Sequence, residues 1–190
     1  MATIAKGYTT KTEIENFLMI NINEVFDTQV DLYISEIENV IDNETGRNFI
    51  ADSTASERLF DGDNESNLLI DDCIEITKIE VDGEEITDYF KYPSKTNYPI
   101  NEIALEDGVF NKGRQNVAVT AKWGFSAEVP KDIRLACTVL VSNILGLFLN
   151  GDDKVKTLSM GSYSVTYKDL EVITDVKNIK EILRKYQRMI

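Results

Sequence analysis

Residues 133–149 carry apolar side chains in almost every direction around a helix, and a helix of that kind must be buried from more than one side. Val129-Pro130-Lys131-Asp132 opens it, with proline in the first turn, where its missing N–H costs nothing. Ile133, Cys137, Leu140, Ile144 and Phe148 make one face, and Leu135, Val139, Val141, Leu145, Leu147 and Leu149 fill the remainder. Gly146 allows close backbone approach. Thr138, Ser142 and Asn143 interrupt the stretch, which is also shorter than the ~18 apolar residues a membrane span needs. Protein, not lipid, is therefore expected around this helix.

The partners for it are legible elsewhere. Thr10 followed by Glu13 reads as a capping box that starts a helix with Ile14, Phe17 and Leu18 on its apolar stripe. A longer helix begins near Asp27, where Val30, Tyr33, Ile34, Ile37, Val40 and Ile41 recur at three-and-four spacing, and Gly46 ends it. A last helix runs from about Asp175, with Val176, Ile179, Ile182, Leu183 and Tyr186 inward. Before it, Tyr163, Val165 and Tyr167 mark one face of a strand, after the polar break Asn150-Gly151-Asp152-Asp153.

The middle of the chain changes period. Residues 74–81 alternate apolar and polar, as a strand with one buried face does. Asp82-Gly83 reads as a tight hairpin turn, with Ile86 resuming beyond it. Further strands are expected around 89–92, 103–105 and 116–123. The fold class that results is α+β: a small helical bundle with an inserted antiparallel β unit and a C-terminal strand plus helix. Its parts are residues 1–49, the N-terminal helices; 50–128, the inserted β-rich region; and 129–190, the apolar helix, strand and basic closing helix.

Charge narrows the partners. Residues 1–150 carry 12 Lys+Arg against 27 Asp+Glu, while residues 151–190 carry 8 against 6. A surface this acidic repels phosphate, which argues against specific nucleic-acid binding by the bulk of the chain. Lys177, Lys180, Arg184, Lys185 and Arg188 lie on or beside the exposed side of the last helix. Interleaved with Asp175 and Glu181, they suit a solvated face; set against the acidic remainder, they suit docking onto an acidic partner.

The chain has no histidine, which removes Ser-His-Asp and Cys-His systems and imidazole zinc sites together. It has no Gly-x-x-x-x-Gly-Lys-Ser/Thr loop and no Gly-x-Gly-x-x-Gly, and no cofactor is implied. Cys73 and Cys137 stand far apart in no ligand spacing, and Cys137 reads as a small core residue. Two lone thiols and the lack of a leader pattern predict a chain that stays in the cytosol that makes it. What remains is carboxylate chemistry: Asp61, Asp63, Asp71 and Asp72 could gather oxygens around Mg²⁺ or Ca²⁺ as in a metal hydrolase. Their order does not match a calcium loop, and Asp61-Gly62-Asp63-Asn64-Glu65 reads as a polar turn; no metal site is expected.

Three segments carry a resemblance: Glu44-Thr45-Gly46-Arg47-Asn48-Phe49; Trp123-Gly124-Phe125 leading into Val129-Pro130-Lys131-Asp132-Ile133-Arg134-Leu135-Ala136; and Gly161-Ser162-Tyr163-Ser164-Val165-Thr166-Tyr167 before the closing helix. In this order they resemble the head-to-tail connector (adaptor) proteins of long-tailed bacteriophages. The helical parts match best, and the β region looks like an enlarged insertion. The resemblance implies a structural virion protein of the neck, assembled in the host cytoplasm and not an enzyme. It implies a homo-oligomeric ring of about twelve copies below the portal protein, with the next neck or tail-completion protein as its other partner. Such a ring extends the DNA channel, and acidic residues along it let DNA pass without specific binding. The resemblance also implies that the C-terminal helix docks on the portal. On this reading Leu135, Val139 and Leu147 are candidate subunit contacts, because a closed ring needs two unlike side surfaces.

Three other readings stand beside it. One is a different neck or tail-completion protein of the same virion. Another is the carboxylate-metal hydrolase, for which a divalent cation would raise the melting temperature. The third is a β-rich binding module, in which the strands rather than the helices meet the partner; ring formation after deleting 55–120 tests it.

Overall fold

The computed structural model of the chain describes residues 5–22, 27–95, 98–149, 157–160, 163–166 and 173–188, with side chains except at 27–28, 147–149, 157–160, 163–166 and 173–177. The chain divides into two compact units, residues 1–47 with 129–190, and residues 48–128.

The first unit is helical. Helix α1 (Lys11–Leu18) starts at the expected capping box: Thr10 accepts from the Glu13 N–H, and the Glu13 carboxylate accepts from the Thr10 N–H at 2.9 Å. Helix α2 (Asp27–Thr45) buries Val30, Ile34, Ile37, Val40 and Ile41 along one face. Gly46 closes it at φ 66°, donating to the Asp42 carbonyl at 2.7 Å. That left-handed backbone suits a residue without Cβ.

Across the chain from them, helix α3 lies at Lys131–Leu149 and helix α4 at Ile173–Tyr186. Helix α3 packs against α1, α2 and α4, and α2 also touches α4. Its residues from Ala136 to Ser142 are all buried, as are Ile144 and Leu145, so the middle of the helix is buried from several sides. Leu135 is instead exposed, a Cβ at Gly146 would meet open space rather than a close neighbour, and the side chains of 147–149 lie outside the described residues. No helix among the described residues is long and apolar enough to cross a membrane.

The second unit is an antiparallel sheet. Its strands are β1 (Ser56–Gly62), β2 (Asn67–Val81), β3 (Glu84–Glu85), β4 (Tyr89–Tyr92), β5 (Ile100–Leu105) and β6 (Gly113–Trp123). The order is β1-β6-β2-β5-β4, with β3 pairing the end of β2. Together with the four helices this makes an α+β fold, as the sequence predicts. Asp82 and Gly83 take φ 53° and 86°, and Ile86 donates to the Ile79 carbonyl, completing the expected hairpin.

Two features depart from the sequence reading. The alternation over 74–81 is broken by bulges between Cys73 and Glu75 and between Ile76 and Lys78. The extra residues put Cys73, Ile76, Ile79 and Val81 into the core and turn Ile74 outward, 37% exposed. The polar run Asp61-Gly62-Asp63 is not wholly a turn, since β1 extends through Gly62, and Asp71 and Asp72 lie within β2.

At the base of the sheet the chain enters and leaves side by side. Phe125 donates to the Asn48 carbonyl, Ala51 to the Ser126 carbonyl, and the Phe49 and Phe125 rings stand 5.4 Å apart. Gly124, at φ 133°, permits this approach, because a Cβ there would stand 2.4 Å from the Ala51 Cα. Beside it the Trp123 indole is buried and donates to the Ser56 carbonyl at 2.8 Å.

A further hairpin, β7 (Thr157–Met160) with β8 (Tyr163–Thr166), pairs Leu158 with Val165 and Met160 with Tyr163. Gly161, Ser162 and Tyr167 of the predicted strand motif, and the polar break 150–153, lie outside the described residues.

Candidate assembly surfaces

The closing helix is anchored by a few groups and presents cations elsewhere. Ile179 and Leu183 are buried, four residues apart on one face. The Tyr186 hydroxyl donates to the Asp132 carboxylate at 2.7 Å, tying α4 to the start of α3. Arg47 donates through Nε to the Tyr186 carbonyl, and the Arg188 N–H donates to the Thr45 carbonyl at 2.9 Å. Lys180, Arg184 and Lys185 are exposed and Arg188 is half-buried. The Lys177 side chain lies outside the described residues. Among the described side chains, with Ile179 and Leu183 packed and Val176 outside that set, the helix offers three exposed positive groups within six residues.

The three candidate contacts on α3 divide. Leu135 is 52% exposed, whereas Val139 is buried in its own unit. The Leu147 side chain lies outside the described residues.

The strongest polar construction in the first unit lies at a residue that sequence reasoning passed over. Glu38 is 1% exposed. Its carboxylate accepts the backbone N–H of Lys6, of Gly7 at 2.8 Å and of Tyr8 at 2.7 Å. Next to it Asp42 accepts from the Tyr8 hydroxyl at 2.6 Å and forms an ion pair with Lys6. Burial pushes the Asp42 carboxyl up, and its bonds to Lys6 and Tyr8 offset this in part. Thr9 meets Thr138 at 2.7 Å, and Arg134 binds Glu13 at 3.0 Å. Burial would raise the Glu13 carboxyl, but Arg134 and the Thr10 and Thr9 bonds outweigh it and hold it below its ordinary value. Residues 6–13 are thus fastened to α2 and α3 by charge. The signal in the sequence was a carboxylate at the three-and-four spacing of Ile34 and Ile41, inside an apolar stripe.

The carboxylates considered for metal chemistry have other partners. Asp61 accepts from the Gln115 N–H at 2.7 Å, Asp63 accepts from the Glu65 N–H within its own turn, and Asp71 pairs with Arg58 at 2.8 Å. Asp72 is buried. Among the described residues, no three His, Cys, Asp or Glu side chains gather closely enough to hold a metal ion. Both thiols are buried and free of disulfides. Burial, with Asp72 adding to it, pushes the Cys73 thiol up to about 12, and burial raises Cys137 well above its ordinary value.

The second unit keeps several large apolar side chains exposed. Leu59, Leu69, Phe90 and Tyr92 are 49%, 72%, 51% and 41% exposed. The strand periodicity contained the sign, but the faces depend on bulges that no local pattern announces.

No protein-family model and no curated protein matches the chain. Two solved structures are similar to it in fold. A chain in the neck of an empty GTA particle (a phage-like gene transfer agent), computed with C6 symmetry, aligns with 98% of this chain and 91% of its own length, at TM-score 0.61 and 11% identity. A chain in the neck of a native GTA particle, computed with C12 symmetry, aligns over 94% and 88%, at TM-score 0.51 and 14% identity. At these identities the likeness is one of fold, and it spans both units of this chain.

Proposed function

We propose that this chain is a structural protein of a phage-like virion neck, a head-to-tail connector (adaptor) subunit and not an enzyme. The observation that carries the reading is the fold likeness to neck chains over nearly the whole length, helical unit and β unit together. The six-fold and twelve-fold symmetry of those necks supports a cyclic homo-oligomer of this chain. The subunits form a ring below the portal, which extends the DNA channel and meets the next neck protein on its far side. The net charge of −13 suits a wall that DNA passes without sticking.

In this reading the exposed cations of α4 dock on the portal. Arg184→Glu with Lys185→Glu reverses two exposed charges without touching Ile179, Leu183 or Tyr186. Portal binding should fall at least about tenfold with the melting temperature unchanged; binding equal to that of the unaltered chain would refute this docking site.

The function itself is tested in the particle that encodes the chain. Without the protein, filled heads and free tails should accumulate unjoined, and normal numbers of joined particles would sink the proposal. A second reading, a neck protein on the tail side of the connector, draws on the six-fold symmetry of the neighbour with TM-score 0.61. Native mass spectrometry separates them, since about twelve copies fit the portal-side ring and about six the tail-side one.

A further inference from the structure

The sheet of the second unit ends in two unlike edges. Strand β1 stands at one end of the strand path and β4 at the other. Register pairs Leu59 with Ala118, on the face opposite to the one where Phe60 and Val117 join the core. At the other edge Tyr92 pairs with Glu102, which in turn pairs with Leu69, while Phe90 pairs with Ala104. Residues directly opposite share a face, so Tyr92, Glu102 and Leu69 make one row, with Phe90 beside Tyr92. An edge strand with exposed aromatic residues invites pairing with another chain, and soluble monomers normally blunt such edges.

The two edges also differ in charge. Residues 56–65 hold four acids and one arginine, and that arginine is paired with Asp71. Residues 88–95 hold two lysines, Lys91 and Lys95, against one aspartate. An edge meeting its own kind sets acid against acid or lysine against lysine; unlike edges attract. Direction agrees with this. Every neighbouring pair on the path is antiparallel, and four such steps separate β1 from β4, so the two edge strands run the same way. Placing one copy's β1 beside another's β4 pairs them in parallel with the like faces of both sheets on one side, as a small rotation from one ring subunit to the next allows.

We propose that these edges are the two halves of a head-to-tail contact between copies of this chain, with Leu59 and Glu57 of one subunit against Phe90 and Tyr92 of the next. The proposal rests on the ring reading above and names the surface that closes the ring. It gives the inserted β unit a role in self-assembly.

The test uses the full chain in native mass spectrometry and oxidative cross-linking. With Leu59→Cys and Phe90→Cys together, mild oxidation should yield a ladder of covalent multimers ending at the size of the ring, and neither single variant should. Phe90→Glu with Leu69→Glu should weaken oligomers at least about tenfold, with melting unchanged because both side chains are exposed. Reversing the charge of the β4 edge with Lys91→Glu and Lys95→Glu should weaken them too. Rings that persist in the Phe90→Glu, Leu69→Glu variant without a cross-linked ladder overturn this contact and leave the connector reading intact, since head–tail joining decides that separately. A chain monomeric at every concentration also overturns the contact, whatever the joining assay gives.

Discussion

Glu38 is a charge that the folded chain buries completely, and its replacement by glutamine measures what that burial achieves. Glu38→Gln keeps the shape of the side chain and removes the charge. The carboxamide oxygen still accepts from Gly7 and Tyr8, now as neutral bonds, each weaker by about 1 kcal/mol than the charge-assisted originals. The amide nitrogen faces the Lys6 N–H, donor against donor, and that bond is lost at a cost of roughly 1.5–3 kcal/mol. Relief of the buried charge works the other way and offsets roughly half of these losses, since desolvating a carboxylate carries its own cost. The net loss should be about 2 kcal/mol, or roughly thirtyfold in the opening of the N-terminal arm. Native-state hydrogen exchange at the Lys6, Gly7 and Tyr8 amides reads this directly, and urea denaturation shows whether the whole helical unit shares it. Unchanged exchange would mean that the arm is held by Asp42 and Thr9 instead. A gain in stability would mean that the buried charge is a net burden, and the reasoning would fail.

Two further outcomes follow from the ionisable groups. Glu13 has a depressed folded value, so its contribution is present above its unfolded value and lost as pH falls through the folded one; Glu13→Gln should cost about 1 kcal/mol at neutral pH, a gap that narrows once pH falls below the ordinary glutamate value of about 4.3. A gap constant with pH in urea titrations would exclude the carboxylate as its source. Cys73 and Cys137 have raised values, so both thiols should resist alkylation in the folded chain, and stability should fall as pH rises above about 8.5, where unfolded thiols ionise first. Alkylation of the native protein at the rate of a free thiol would contradict this.

Much of the helical unit could be read from the chain because its signals are local. The Thr10–Glu13 box, the stripe from Val30 to Ile41 and the Gly46 cap each lie within a few turns and act through neighbours along one helix. The β unit was legible in class but not in faces. Cys73 and Ile74 exchange roles because of a bulge, and a bulge is set by pairing with Trp123 and Lys122, some fifty residues away. Strand β1 was hidden for another reason: Ser56, Glu57, Arg58 and Asp61 make a polar strand whose partner β6 supplies the apolar side. Glu38 lay in plain view within an apolar stripe. What satisfies it is a backbone segment thirty residues upstream, and backbone N–H groups leave no trace in residue identity.

That division also bears on where assembly resides. The motifs behind the connector resemblance are mostly joints: Thr45 donates to the Ile41 carbonyl, Arg47 holds the Tyr186 carbonyl, and Gly124 lets two backbone segments touch. Joints of this kind serve the fold of one chain, and they tolerate change at the surface around them. A ring contact has the opposite requirement, because it must fit only its own copies and can change whenever both edges change together. The residues that would close the ring are therefore sought among exposed side chains with no part in those joints. Leu59, Leu69, Phe90 and Tyr92 meet that condition, while Val139, buried in the bundle, is committed to the core.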